Sequence, residues 1–212
     1  MSEAAAFTGF PVAALDFYDD LEVDNTKSFW EKHKAVYDEA VKGPMTALCA
    51  ALAPEFGEAK VFRPYRDVRF AKDKTPYKTN VGIGFHPRGV PKGPLVAGLY
   101  VHVAPKESFI ATGVWQPEPA LLSKIRDAIV ERPDAWAKAR KVGLDDDVEG
   151  LKRAPKGFDP EHKYVEDLKR KSFTASTMLT PAQATSADLP KLMVAAEKRM
   201  RPLNDFLGAA VR

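Results

Sequence analysis

From residue 59 to 115 the sequence alternates apolar with polar or small residues at a period close to two, the period of a half-buried β-strand. Strands are expected near 60–63, 66–70, 79–86, 96–104 and 108–115, with "HPRGVPKGP" and "APKE" as loops. The short "APKE" connection between two such runs predicts an antiparallel hairpin. On regular strands alternate residues share a face. Val81, Ile83 and Phe85 then point into the core, with Leu99, Val101 and Val103 on the next strand and Ile110 and Val114 on the third. The opposite face carries Asn80, Gly82, Gly84 and His86, then Gly98, Tyr100, His102 and Ala104, then Phe109, Ala111, Gly113 and Trp115. Glycine inside a strand often marks a close approach to the backbone. Two coverings are open for that face. A helix could lie on the glycines with Tyr100 and Trp115 as core, which the usual burial of aromatics favours; otherwise the face is the floor of a ligand site.

On either side the period is helical. Residues 11–56 carry apolar stripes, with Asn25 or Thr26 as a cap and Gly43-Pro44 as a predicted break. Residues 118–142 form a helix divided by Pro133, followed by a short helix at 161–170 and a strand at 171–179. The helix 186–208 buries Leu189, Leu192, Met193, Ala196, Met200, Leu203 and Phe206. Helices, then strands, then helices predict one α+β domain over 1–212, with a mostly antiparallel sheet of five to six strands. At 212 residues, 45% hydrophobic and 29% charged, the chain can bury a sizeable core. The one cysteine, Cys49, excludes an intramolecular disulfide framework and a multi-cysteine zinc site. The N-terminus lacks a signal-peptide pattern, and no run reaches the ~18 apolar residues of a membrane span. A cytoplasmic location and no membrane partner are the expectations.

A net charge of +3 is mild, so any recognition of anions must come from local clustering. The cluster exists: residues 60–92 hold nine Lys/Arg against two acids, Asp67 and Asp73. Arginine forks match phosphate or carboxylate oxygens, and lysines add point charge. Arg66, Arg69, Lys74, Tyr77 and Lys78 are candidates for an anion site, with Tyr100 and Trp115 as ring-stacking partners. Arg63, Asp67 and Asp73 are candidates for structural ion pairs. The pattern equally allows a solvated loop braced by internal pairs. No P-loop, GxSxG or HExxH is present. His86 and His102 are the candidate general bases, but without a third ligand nearby they imply no metal, and nothing calls for a cofactor. His33 and His162 read as a core-edge histidine and a local cap.

"RPYRDVRFAKDKTPYKTN", "GLYVHVAP", "TGVWQPEPALLSKIR" and "LKRAPKGFDPEHKYVEDLKRKSF" resemble the widespread bacterial family called domain of unknown function 2461. "NTKSFWEKHKAVYDEA" is similar too, although members usually carry Trp-Phe where this chain has Phe29-Trp30. The likeness spans nearly the whole chain. It implies a full-length single domain and no established activity, substrate or cofactor. Three functions follow as expectations. The first is binding of a phosphate-bearing small molecule by the basic segment, with nucleic acid the less favoured version. The second is an enzyme using His102 or His86 as general base, with Arg66 and Lys74 stabilising charge. The third is a structural or protein-docking role in which the Arg/Asp motif only braces the fold.

Overall fold

A computed structural model of the chain describes residues 6–85, 98–146 and 149–211. Its centre is a five-stranded antiparallel sheet with the strands in chain order. These are β1 (Ala59–Val61), β2 (Val81–Phe85), β3 (Gly98–Val103), β4 (Ser108–Val114) and β5 (Phe173–Leu179). The predicted "APKE" hairpin joins β3 to β4. Ser108 closes it, its Oγ donating to Ala104 O (3.0 Å) and accepting from Ala104 N (3.1 Å). The alternation places side chains as expected: Val81, Ile83, Phe85, Leu99, Val101, Val103, Ile110 and Val114 are at most 2% exposed. Burying each such side chain contributes about 1.5–3 kcal/mol.

The long helix α8 (Leu189–Ala210) covers that face, packing on β3, β4 and β5. Met193, Met200, Leu203 and Leu207 form its buried stripe. A buried polar tie crosses this layer, between Thr112 Oγ1 and the Asn204 side chain, and the Thr112 hydroxyl proton goes to Gly98 O (2.6 Å). The N-terminal helices α1 (Val12–Val23), α2 (Lys27–Val36) and α3 (Gly43–Phe56) complete the helical side. Thr26 caps α2 by accepting from Phe29 N.

Several boundaries differ from the sequence expectation. Gly43-Pro44 does not break the chain direction. A π-helical turn, Tyr37–Lys42, links α2 to α3, with Gly43 N bonded to Asp38 O. Pro44 has no N–H for the Ala40 carbonyl and its ring would crowd that oxygen; a widened turn just before it relieves the clash. Residues 66–70 are not a strand. Only Tyr65 and Tyr77 form an isolated bridge there, because the side chains of Asp67 and Asp73 bond nearby backbone and divert the chain from a ladder. The helix expected at 161–170 is a single turn, α6 (Val165–Leu168). A short helix, α7 (Pro181–Thr185), precedes α8; Thr180 and Gln183 form its capping box.

Pro133 divides the third helical region as expected, into α4 (Pro119–Glu131) and α5 (Pro133–Ala139). Trp136 is fully buried, and its Nε1 donates to Asp167 Oδ2 (2.8 Å), which also receives Arg140 Nε (3.0 Å). Residues 143–146 and 149–172 are held largely by arginines on backbone carbonyls. Arg126 donates to Leu168 O (2.8 Å) and Arg170 O (3.0 Å), and Arg170 to Ser172 O (3.1 Å) and Asp145 O. At the outer edge of β5, Asp145 N bonds Thr174 O (2.9 Å) and Arg199 bonds Ser176 O (2.9 Å).

Gly113 adopts φ +112°, and a Cβ built there would lie 2.0 Å from Phe173 O. Gly113→Ala is therefore expected to destabilise the fold by about 3 kcal/mol or more, read from the midpoint of urea denaturation.

Candidate functional site

No described helix packs over the second face of the sheet. A groove of about 760 Å³ lies there instead, within the size range of small-molecule sites. Its floor is β3 and β4, presenting Tyr100, His102, Phe109 and Ala111; Trp115, Pro117 and Leu121 stand at one side. It runs from Phe62, Lys78 and Asn80 beside β2 to Thr174 and Ser176 on β5, about 14 Å at ordinary strand spacing.

The glycines have a specific use here. A Cβ on Gly82 would meet Tyr100 Oη at 2.9 Å, so the missing side chain lets the Tyr100 ring lie down across the neighbouring strand. Tyr100 Oη is 3.3 Å from His102 Nδ1, and the Asn80 side chain also bonds the phenol. His102 stacks on Phe109 (centroids 4.8 Å apart, planes 5°). Burial holds the His102 ring below its ordinary pKa of 6.5, against the opposing pull of Glu107, so the imidazole is neutral at pH 7. Burial raises the Tyr100 phenol, which stays protonated. The floor thus offers neutral hydrogen-bonding groups on an aromatic surface. Trp115 is 71% exposed at the rim. His86 lies outside the described residues.

The basic segment divides into two parts. Arg66 Nη1 contacts Asp73 Oδ2 and Thr75 Oγ1, and Asp73 also accepts from Thr75 N (2.9 Å). Arg69 forms a two-pronged pair with Asp67, Nε to Oδ1 (2.9 Å) and Nη2 to Oδ2 (2.7 Å). Lys74 Nζ donates to Val68 O (2.9 Å). Arg66, Arg69 and Lys74 are thus engaged within the loop, and none of them lines the groove. The pairs assigned to Asp67 and Asp73 exist as Asp67–Arg69 and Asp73–Arg66. Arg63 is exposed and lines a separate depression of about 370 Å³ with Lys34, Tyr37 and Lys42.

Tyr77 is core and unavailable to stack a ligand. It is 5% exposed, and its ring lies on Trp30 at 4.4 Å with planes 7° apart. Its backbone is clamped by Asn25, which donates to Tyr77 O (3.0 Å) and accepts from Tyr77 N (3.0 Å). Phe29 stacks instead on His33 (4.0 Å), so Trp30 and not Phe29 fills the space beside Tyr77.

This anchor sets Lys78. One residue beyond Tyr77, with its N bonded to Pro64 O (2.7 Å), Lys78 reaches the groove and sits 5.4 Å from the Phe62 centroid. No carboxylate pairs with it among the described residues. Burial, and then the charge of Arg63, lower its pKa from 10.5. Lys78 is the one sequence candidate cation that lines the groove. Phe62, Asp145, Thr174 and Ser176 were missed by sequence reasoning. For the last two the signal was present, since β5 alternates like its neighbours: Thr174 and Ser176 register with Gly113 and Ala111. Among the described residues no three or more His, Cys, Asp or Glu side chains gather as metal ligands would, and no helix is long and apolar enough to cross a membrane.

The family model described as conserved hypothetical protein (DUF2461) matches residues 13–206. The chain belongs to that family. The matched stretch includes the whole sheet, the groove and the braced loop, so the DUF2461 region and the folded unit nearly coincide. No curated protein and no solved structure gives a significant match to the chain.

Thr75 N–H, Arg66 and the Thr75 hydroxyl together lower the Asp73 carboxyl from 3.8 to about 2. A carboxylate depressed in the folded state contributes stability that is present above its unfolded value and lost as the pH falls through the folded one. The braced loop should therefore weaken between pH 3.8 and about 2. Asp73→Asn should lack that component of the acid limb when melting temperature is followed against pH.

Proposed function

We propose that the protein binds a small organic anion with a planar, apolar body in the groove on the uncovered face of the sheet. The observation that carries this reading is Lys78: a half-buried ammonium without a carboxylate partner among the described residues, at one end of an aromatic floor. An unpaired charge in such surroundings is stabilised by an incoming counter-charge. Tyr100 and Phe109 supply the apolar surface. One ammonium suits a carboxylate or one edge of a phosphate. It suits a nucleic acid poorly, since a polyanion would need a row of cations. In this reading the Arg66–Asp73–Thr75 network braces the loop, and Lys78 is the part of the basic segment that meets the ligand.

A second reading has its own observation. His102, neutral and bonded to Tyr100, lines the same groove, where it could accept a proton from a bound ligand. Conversion of a groove ligand by wild type, followed by NMR and absent with His102→Gln, would favour that enzyme.

Calorimetry with 3-phenyllactate and phenyl phosphate tests the binding reading. Lys78→Ala should weaken binding about tenfold or more, the loss of one charge-assisted hydrogen bond. Arg66→Ala should lower the melting temperature while the folded fraction still binds. If Lys78→Ala binds like wild type and Arg66→Ala or Lys74→Ala loses the ligand at unchanged melting temperature, the site lies on the loop and the groove assignment is wrong.

A further inference from the structure

Lys78 differs from the other lysines of the basic segment in ways that bear on reactivity as well as charge. Lys74 is exposed and bonded to Val68 O, and Lys72 is exposed. Lys78 stands over the face of Phe62, with Lys60 at the same 5.4 Å from that ring and the Arg63 charge close enough to act on it. The Arg63 charge acts on it, apolar atoms desolvate it, and no described carboxylate holds its proton. Those conditions increase the fraction of free amine and so activate a lysine as a nucleophile toward carbonyl carbon. The groove beside it contains groups suited to the proton traffic of such a step: the Tyr100 hydroxyl and the neutral His102 ring.

We infer that Lys78 forms an imine with a 2-oxo acid bearing an aromatic or similarly flat side chain, held in the groove. The inference rests on the anion-binding reading and names the ligand class. In a 2-oxo acid the carbonyl carbon adjoins the carboxylate, so one lysine can serve both. The ammonium form attracts the carboxylate, and the amine form attacks C2. The Nζ lone pair makes the C–N bond while the C=O π pair moves to oxygen. The two amine protons and that oxygen leave as water. The product is a C=N bond, with no change of oxidation state and no co-reactant. Protonated, the imine restores the positive charge beside the carboxylate. The planar remainder of the ligand lies along Tyr100 and Phe109.

Reductive trapping separates this step from simple binding. Full-length protein is incubated with phenylpyruvate and cyanoborohydride, and modified peptides are mapped by mass spectrometry; 3-phenyllactate, the same shape without the carbonyl, is measured by calorimetry in parallel. The expected result is a secondary-amine adduct on Lys78 before any other lysine, slowed by excess 3-phenyllactate. Lys78→Arg removes the nucleophilic amine, so it should lose the early adduct. If 3-phenyllactate binds but labelling scatters over surface lysines, or is unchanged in Lys78→Arg, the imine is overturned and the binding reading survives. Failure of both ligands to bind or react overturns both.

Discussion

Among the described residues the helical layer lies on one side of the sheet, and the remaining architecture follows from that asymmetry. α3 and α8 seal the face built from Ile83, Val101 and Ile110, where almost nothing but hydrocarbon and the Thr112–Asn204 tie is found. The opposite face carries no such load, so its positions need no bulk. Glycine and alanine keep it shallow, and at Gly82 the absence of a side chain admits the Tyr100 ring itself. A flat aromatic surface that no described helix covers is therefore a product of the same two-layer packing that makes the core.

Charge in the 65–78 loop is organised by proximity. Asp67 and Asp73 each sit within a few residues of the guanidinium they neutralise, and each also bonds backbone, so the loop closes on itself. Exposed pairs of this kind contribute little individually. Their effect is geometric: they hold the turn that returns the chain to Tyr77, where Asn25 and Trp30 fix both backbone and ring. A rigid Tyr77 makes its neighbour's position reproducible, and that neighbour is Lys78. The aromatic core and the groove are linked through one peptide bond.

The sheet and both of its faces could be read from alternation because parity is a local property: Val81 and Ile83 face inward whatever lies around them. The covering of the second face is a tertiary fact: the sequence favoured a helix there, and the groove lies open instead. At 66–70 the same parity misled. "RDVRF" alternates well enough for a strand, yet the Asp67 carboxylate reaches Arg69 two residues away and offers the chain a tighter local arrangement. The stretch "LKRAPKGFDPEHKYVEDLKRKSF" was similarly opaque. Arg126 and Arg170 act on carbonyl oxygens, acceptors every residue carries, so no complementary letter marks them. The Thr180–Gln183 capping box stood in the sequence as "TPAQ" and went unread, although a hydroxyl followed three positions later by an amide is the ordinary mark of a helix start.

The outer margin of β5 has a further implication. A terminal strand normally offers unused carbonyls and amides on which another polypeptide can dock as an extra strand. Here two successive outward oxygens, on Thr174 and Ser176, already hold a backbone amide and a guanidinium from within the same molecule. A strand arriving from another copy would have to displace Arg199 and the Asp145 amide before making its first two bonds. The sheet is closed to lengthening on that side, which leaves the protein free to keep an exposed aromatic face without exposing an adhesive border beside it.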